Sequence, residues 1–321
     1  LGVPAAAIMA TLTYSERFSA YWVPKTSVVL ITVPLLFAVW MAKAAIEGRL
    51  TLVRSPLYWP FLLYAGAGAA SLLWAQNPGR GLEALAFRAC TMSVCFLTLH
   101  HLADLVSVRR ILGAVVATGA LVSGIGILQF NGLEVISDVM AHSQGWGSTL
   151  GNLNFSAHFL DMVIPVAVAM AFLTKRVYRV LVLIALALAT SYLIVCQSRG
   201  GWLAVSAGVL FILVFSGLRL SWLRHAALSV VVVALLSPAA ELVGRSIQLG
   251  NGRTLATQAQ VQIERTWSRL LSGFDLRDFS LSQRRIIWAD SWSLVRSSPV
   301  LGVGAGNFEV AVAAHRTPDR H

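Results

Sequence analysis

An arginine at a sharp reversal between two apolar runs is a place for anion chemistry. In Gln197-Ser198-Arg199-Gly200-Gly201 almost no loop separates the run ending at Gln197 from the run beginning at Gly201. The glycines allow a tight turn, and the arginine is held where a bilayer meets water. Guanidinium is the side chain best suited to bidentate contact with phosphate oxygens; an arginine that snorkels to lipid phosphates is the structural alternative. Asp161 and Arg88 are charges within apolar runs, and such charges are functional candidates by default. A helix-to-helix hydrogen bond is the alternative for Asp161, and snorkelling for Arg88. His158, one turn before Asp161, reads as a packing histidine, because no second metal ligand is near it in the sequence. Gly302-Val303-Gly304-Ala305-Gly306-Asn307-Phe308 is not a dinucleotide loop: the third glycine is misplaced and no strand leads in. It reads as a compact glycine turn.

The elements that must position these groups follow from composition. Of the 321 residues, 57% are hydrophobic and 12% charged, where a soluble domain carries about a quarter charged residues. Backbone groups in lipid must be bonded within a segment or around a closed barrel. The apolar runs are continuous rather than alternating, so they are helices and not barrel strands. They fall at Ser27 to Ala45, Tyr58 to Ala75, Ala84 to His101, Ile111 to Phe130, Leu153 to Thr174, Tyr178 to Gln197, Gly201 to Gly217 and Ala226 to Val243, after a short first run from Leu1 to Thr13. About 20 apolar residues span the hydrocarbon, so the chain is expected to be an all-α polytopic membrane protein crossing about eight or nine times. No basic region or small-residue cleavage site marks the first run as a signal peptide.

Residues 1–243 are thus read as a transmembrane helical domain and 244–321 as an external segment. The second part holds Arg245, Arg253, Arg265, Arg269, Arg277, Arg284 and Arg285 among polar residues. Thr257 to Leu271 is expected to lie as a helix along the interface. Ile287, Trp288, Ser291, Trp292, Leu294 and Val295 recur at helical spacing and predict an amphipathic helix over Arg284 to Ser297, ended by Pro299 and Gly302.

Orientation follows from basic residues in alternate connections. Lys43, Arg49 and Arg54, then Arg109 and Arg110, then Lys175, Arg176 and Arg179, then Arg219 and Arg224 lie on one side, which the positive-inside rule places in the cytoplasm. Arg80, the stretch from Asn131 to Gly151 and the Arg199 turn lie on the other side. Arg17 and Lys25, in the first outward connection, run against the assignment. The net charge of +11 is explained largely by this topology, and no aromatic-interleaved basic module points to nucleic acid. Cys90, Cys95 and Cys196 show no metal spacing, and no structural disulfide is expected.

Four motifs then occur in order. They are Gly151-Asn152-Leu153-Asn154-Phe155 opening a helix, Gln197-Ser198-Arg199-Gly200-Gly201, Arg284-Arg285-Ile286-Ile287-Trp288, and Ser298-Pro299-Val300-Leu301 leading into the glycine turn. As an ordered set from about residue 150 to 308 they resemble the O-antigen ligase and polymerase family of bacterial envelope glycosyltransferases, and most of all its lipopolysaccharide ligases.

The resemblance implies a helical bundle like that of the GT-C glycosyltransferases, in the bacterial inner membrane, working at the periplasmic face. It implies an inverting transferase that uses neither metal nor cofactor. The donor would be a glycan on undecaprenyl diphosphate, and the acceptor a sugar hydroxyl of the lipid A core. The arginines that matter to this family map to Arg199 and Arg284, expected to meet one diphosphate, with Arg88 and Asn154 as further substrate contacts. Membrane lipids are the remaining partners. The family's functional histidine motif is not matched by His315, which precedes Arg316-Thr317-Pro318, nor by His321; the expectation is that it lies beyond His321. Polymerases and the ligases that glycosylate pilins share these motifs, and a polysaccharide or lipid transporter is the alternative of another class. Against transport stand the lack of a visible inverted repeat and the scarcity of intramembrane charge.

Overall fold

A computed structural model of the chain describes residues 2–13, 22–50, 52–101, 104–130, 147–215 and 279–315. Among the described residues the chain is all-α, with two short 3-10 turns and no strand. The helices are α1 Gly2–Leu12, α2 Trp22–Ile46, α3 Tyr58–Ala70, α4 Pro78–His101, α5 Leu105–Phe130, α6 Leu153–Leu173, α7 Arg176–Cys196, α8 Arg199–Phe215, α9 Phe279–Ser297 and α10 Phe308–Ala313. Five stretches, within α2, α4, α5, α6 and α7, are long and apolar enough to cross a membrane, while α1 and the apolar part of α8, Gly200–Phe215, are shorter. The protein is a multi-pass membrane protein. The expected Ala226 to Val243 helix, the interfacial helix at Thr257 to Leu271 and most of the Arg-rich segment lie outside the described residues.

Both α4 and α5 begin about six residues earlier than hydropathy alone predicts, and each has a local cause. Pro78 opens α4, where its missing N–H costs nothing, and Asn77 Oδ1 accepts the Arg80 N–H at 3.1 Å. Asp104 caps α5 in the same way, accepting the Ser107 N–H at 2.7 Å. That bond is the largest cause holding the Asp104 carboxyl below the usual carboxylate range. Arg109 and Arg110, expected in a connection, therefore belong to the second turn of α5.

The chain divides into two compact units. The first is built from α2 beyond Thr26, α3, α4, α9 and α10. In it Phe37, Trp40, Tyr58, Phe96 and His100 form a chain of ring contacts. Its other centre is the glycine turn after α9, which grips the α3–α4 connection.

The second unit holds α5 to α8. Its core is Val122, Ala157, Leu160, Val163, Ala167, Ala189, Tyr192 and Leu193, on the facing sides of α5, α6 and α7. Gly126 makes room for the fully buried Tyr192 ring, and Gly119 for Val163. Lys25 also belongs to this unit: its Nζ donates to the carbonyls of Thr11 at 2.6 Å and Thr13 at 2.9 Å, where α1 ends. The lysine that ran against the orientation rule is thus engaged in capping a helix.

Candidate functional site

At one end of the second unit, α7 gives way to α8 through the turn that the sequence singled out. Gln197, not a glycine, adopts the left-handed conformation there, with φ +50°, and its N–H donates to Ile194 O at 3.1 Å. Ser198 is the buried N-cap: its carbonyl accepts the Trp202 N–H at 3.0 Å and its hydroxyl the Gly201 N–H at 3.4 Å. Arg199 is the first residue of α8; its side chain lies outside the described residues. The expectation that Gly200 and Gly201 make the reversal is corrected here. A Cβ on Gly201 would stand 3.1 Å from Ala157 and Leu193 and 3.2 Å from Asp161 Oδ1. Gly201 is small so that α8 can approach α6 and α7 closely.

The motif at Gly151 to Phe155 opens α6 at the same end. Asn152 is its N-cap and accepts the Asn154 N–H at 2.8 Å, which leaves the Asn154 side chain exposed. Beneath it lies a polar pin that sequence reasoning did not find. The Ser148 hydroxyl donates to Val122 O at 2.6 Å, and its N–H to Gln129 Oε1 at 2.9 Å. The Ser156 hydroxyl donates to Gly147 O at 2.8 Å and accepts from the Tyr192 hydroxyl at 3.3 Å. These bonds fix the start of α6 on α5 and α7.

Asp161 and His158 lie further along α6, and both readings of them change. His158 is not packed in the core: its side chain is 62% exposed, against 15% for Asp161. Among the described residues Asp161 makes no helix-to-helix bond; its Oδ2 stands 3.2 Å from His158 Nδ1 on the same helix. Its Oδ1 is buried without a hydrogen-bond partner among the described residues.

In the first unit, Arg284 is exposed near the start of α9. The helix buries Asp290 and Leu294 and turns its aromatic stripe outward, with Trp288 66% and Trp292 57% exposed. At 100° per residue Arg284 stands above Trp288 on that outward face. Arg88, half-buried on α4, extends over the Tyr64 ring of α3, 5.2 Å from its centroid, and no carboxylate pairs with it among the described residues.

The glycine turn proves to be a clamp. Asn307 is fully buried; its Oδ1 accepts the Asn77 N–H at 2.7 Å, and its Nδ2 donates to the carbonyls of Ala305 at 2.8 Å and Asn77 at 3.2 Å. Ser71 Oγ accepts the Ala305 N–H at 2.9 Å, Trp74 Nε1 donates to Leu301 O at 3.2 Å, and Arg80 pairs with Glu309 at 3.1 Å. Gly304 and Gly306, at φ +92° and +70°, lie so close to Ser71, Ala75 and Arg80 that a side chain at either would meet backbone.

Residues 184–320 match the family model of O-antigen ligase. The chain carries an O-antigen ligase family domain. This match covers the second half of α7, all of α8, and the described parts of α9 and α10, and so includes Arg199, Arg284 and the glycine clamp. Arg88, Asn154, His158 and Asp161 precede it. The O-antigen ligase and polymerase family implies a glycosyltransferase-type enzyme acting on lipid-linked glycans. No curated protein and no solved structure matches the chain.

Proposed function

We propose that this protein is a ligase of its family, moving O-antigen glycan from undecaprenyl diphosphate to a sugar hydroxyl of the lipid A core at the periplasmic face of the bacterial inner membrane. The observation that carries the reading is the placement of Arg199 at the first position of α8, inside the stretch that matches O-antigen ligase. A helix N-terminus presents unpaired N–H groups and partial positive charge, and an arginine there adds a further positive charge. A lipid-linked diphosphate becomes more negative at its bridging oxygen as it departs. Preorganised cations at that point lower the barrier without a divalent metal, and attack by the acceptor hydroxyl from the opposite face inverts the anomeric carbon. Arg284, on the outward face of α9 with Trp288, is assigned to the same donor chemistry. Aromatic residues favour the head-group depth, where a lipid diphosphate resides. Arg88 and Asn154 are assigned to the rest of the substrate.

The glycine clamp supports the orientation. It joins residues 301–309 to the Arg80 connection, and the basic-residue pattern assigns both to the periplasmic side.

Transfer from an undecaprenyl diphosphate donor by the full-length protein, normalised to folded enzyme, tests the proposal. Each charge-assisted contact contributes about 1.5 to 3 kcal/mol, so Arg199→Ala and Arg284→Ala are each expected to cut transfer about tenfold or more. Lysine should rescue only in part, because it cannot replace a bidentate contact. Losses in the double mutant that are less than additive would show the two arginines acting as a unit. Near-normal turnover in a single mutant removes that residue. Transfer to free glycan or to pilin, and not to lipid A core, replaces the ligase with the polymerase or the pilin ligase.

A further inference from the structure

The end of the second unit away from the Arg199 turn gathers basic residues from two elements. Arg109 and Arg110 lie in the second turn of α5, Lys175 and Arg176 where α6 passes into α7, and all four are exposed. Contacts between the helices put them at one level. Gly126 of α5 makes room for Tyr192, whose hydroxyl bonds to Ser156 of α6. Seven residues back along α5, Gly119 makes room for Val163, seven residues on along α6. The two helices therefore run antiparallel and in step. Ten residues further in the same directions, about 15 Å at 1.5 Å per residue, Arg109 comes level with Leu173, the last residue of α6. The turn that bears Lys175 and Arg176 starts there. Arg109 also stands seven residues before the buried Val116, on the side of α5 that packs on the bundle.

These charges have no internal answer. Among the described residues no hydrogen bond or ion pair engages any of the four side chains. Arg179 is different, because its Nε donates to Thr174 O at 3.0 Å and closes the turn. The described carboxylates of this unit are Asp104 and Asp161. Asp104 holds the Ser107 N–H and is attracted by Arg110 without pairing with it, and Asp161 is paired with His158 toward the other end. Arg176 is strained as well: it is the first residue of α7 and has φ +50°, where glycine or asparagine sits with less strain. The turn by itself has no use for an arginine at that angle, and such an outlier points to the side chain.

The surroundings say which anion fits. Beside and beyond Arg176 along α7, Val177, Val180 and Leu181 are exposed, an apolar flank next to the cations. A free phosphate has no use for that flank, whereas a phospholipid has a headgroup for the cations and acyl chains for the valines and leucine. Packed helices stand about 8 to 10 Å apart, so a pair of cations on α5 and a second pair at the turn suit two linked phosphates better than one.

We propose that Arg109, Arg110, Lys175 and Arg176 form a binding site for an anionic phospholipid that carries two phosphates on one headgroup. The site lies at the membrane face opposite the Arg199 turn, the face that the basic-residue pattern assigns to the cytoplasm. It is independent of the transfer reaction and binds a structural lipid rather than a substrate.

Full-length protein, stripped of lipid in detergent, is titrated with diphosphatidylglycerol, phosphatidylglycerol, phosphatidylcholine or inorganic pyrophosphate, and bound molecules are counted by native mass spectrometry. Diphosphatidylglycerol is expected to bind saturably, about tenfold or more tighter than phosphatidylglycerol, and to raise the melting temperature. Arg109→Gln with Arg176→Gln should weaken it about tenfold or more, while Lys43→Gln with Arg54→Gln, which removes as much charge from the first unit, should not. Arg176→Asn guards against a variant that fails to fold or insert: asparagine suits the left-handed turn and four basic residues remain at this end. That protein should melt no lower than the parent without lipid, yet bind the lipid more weakly. Equal affinity for the one-phosphate and two-phosphate lipids overturns the proposal, as does unchanged binding in the Arg109 and Arg176 variants. Equal weakening by the Lys43 and Arg54 pair reduces the effect to general charge attraction and overturns it too. Competition by pyrophosphate at the lipid's own affinity assigns the cations to a free anion instead.

Discussion

Replacing Asn307 with alanine tests whether the glycine turn is a clamp. The side chain has no exposure and makes three bonds, one accepted from the Asn77 N–H at 2.7 Å and two donated, to Ala305 O at 2.8 Å and Asn77 O at 3.2 Å. Truncation leaves one donor and two acceptors without partners. A buried polar group so orphaned costs about 1 to 3 kcal/mol. Asn77 lies in an exposed connection where water can replace part of its loss, whereas Ala305 is buried. The sum is therefore about 2 to 4 kcal/mol, local to the first unit. Asn307→Asp sharpens the test: it keeps the acceptor for the Asn77 N–H but sets a second oxygen against two carbonyl oxygens. It should be at least as damaging as alanine, although it is nearly isosteric. Thermal unfolding of the detergent-solubilised protein is expected to fall by about 5 °C for either variant. Hydrogen exchange at the Asn77 and Ala305 amides should accelerate with it. An Asn307→Asp protein with unchanged melting and unchanged protection of the Asn77 amide would refute the clamp.

Gly126→Val should destabilise the second unit by about 1 to 3 kcal/mol through overpacking, because a side chain there meets the buried Tyr192 ring; unfolding in denaturant measures it, and the Arg284 region should be spared. A cysteine placed at Ser272 is expected to react with a membrane-impermeant reagent in intact cells and one at Thr174 is not; the reverse pattern overturns the orientation. Transfer by purified enzyme should survive chelation of divalent ions, and loss on chelation with recovery on adding magnesium would end the metal-independent reading.

The elements that span were legible because a long apolar run leaves the backbone one solution in lipid. The expected run from Leu153 to Thr174 became α6 at Leu153–Leu173, and Tyr178 to Gln197 became α7 at Arg176–Cys196. Helix starts hidden in polar residues were not caught by hydropathy, although Asn77-Pro78 and Asp104 with Ser107 carry readable capping signals. The tertiary use of the motifs was less legible. Asn307 and Asn77 are 230 positions apart, and nothing local in Gly-Asn-Phe says which backbone the amide grips. Likewise Gly201 was read as a turn residue, because its real constraint, the nearness of Ala157, Leu193 and Asp161, arises only when three helices pack. His158 looked like a packing residue because its exposure is a property of the assembled helices. The Gln197 to Gly201 motif was read as a turn holding Arg199 between two runs, whereas Arg199 is already the first residue of α8.

Lys25 has a consequence for how a helix can stop. α1 ends at Leu12, and the last carbonyls of any helix lack partners within it. In water that end is hydrated; in hydrocarbon it is expensive. Here an ammonium group from the following helix donates to the carbonyls of Thr11 and Thr13, and Thr149 donates a hydroxyl to Thr11 O at 3.0 Å. A terminus answered in this way need not reach the aqueous phase. The chain can turn back at whatever depth its ammonium reaches, so the rule that sets helix length by bilayer thickness is relaxed at this position.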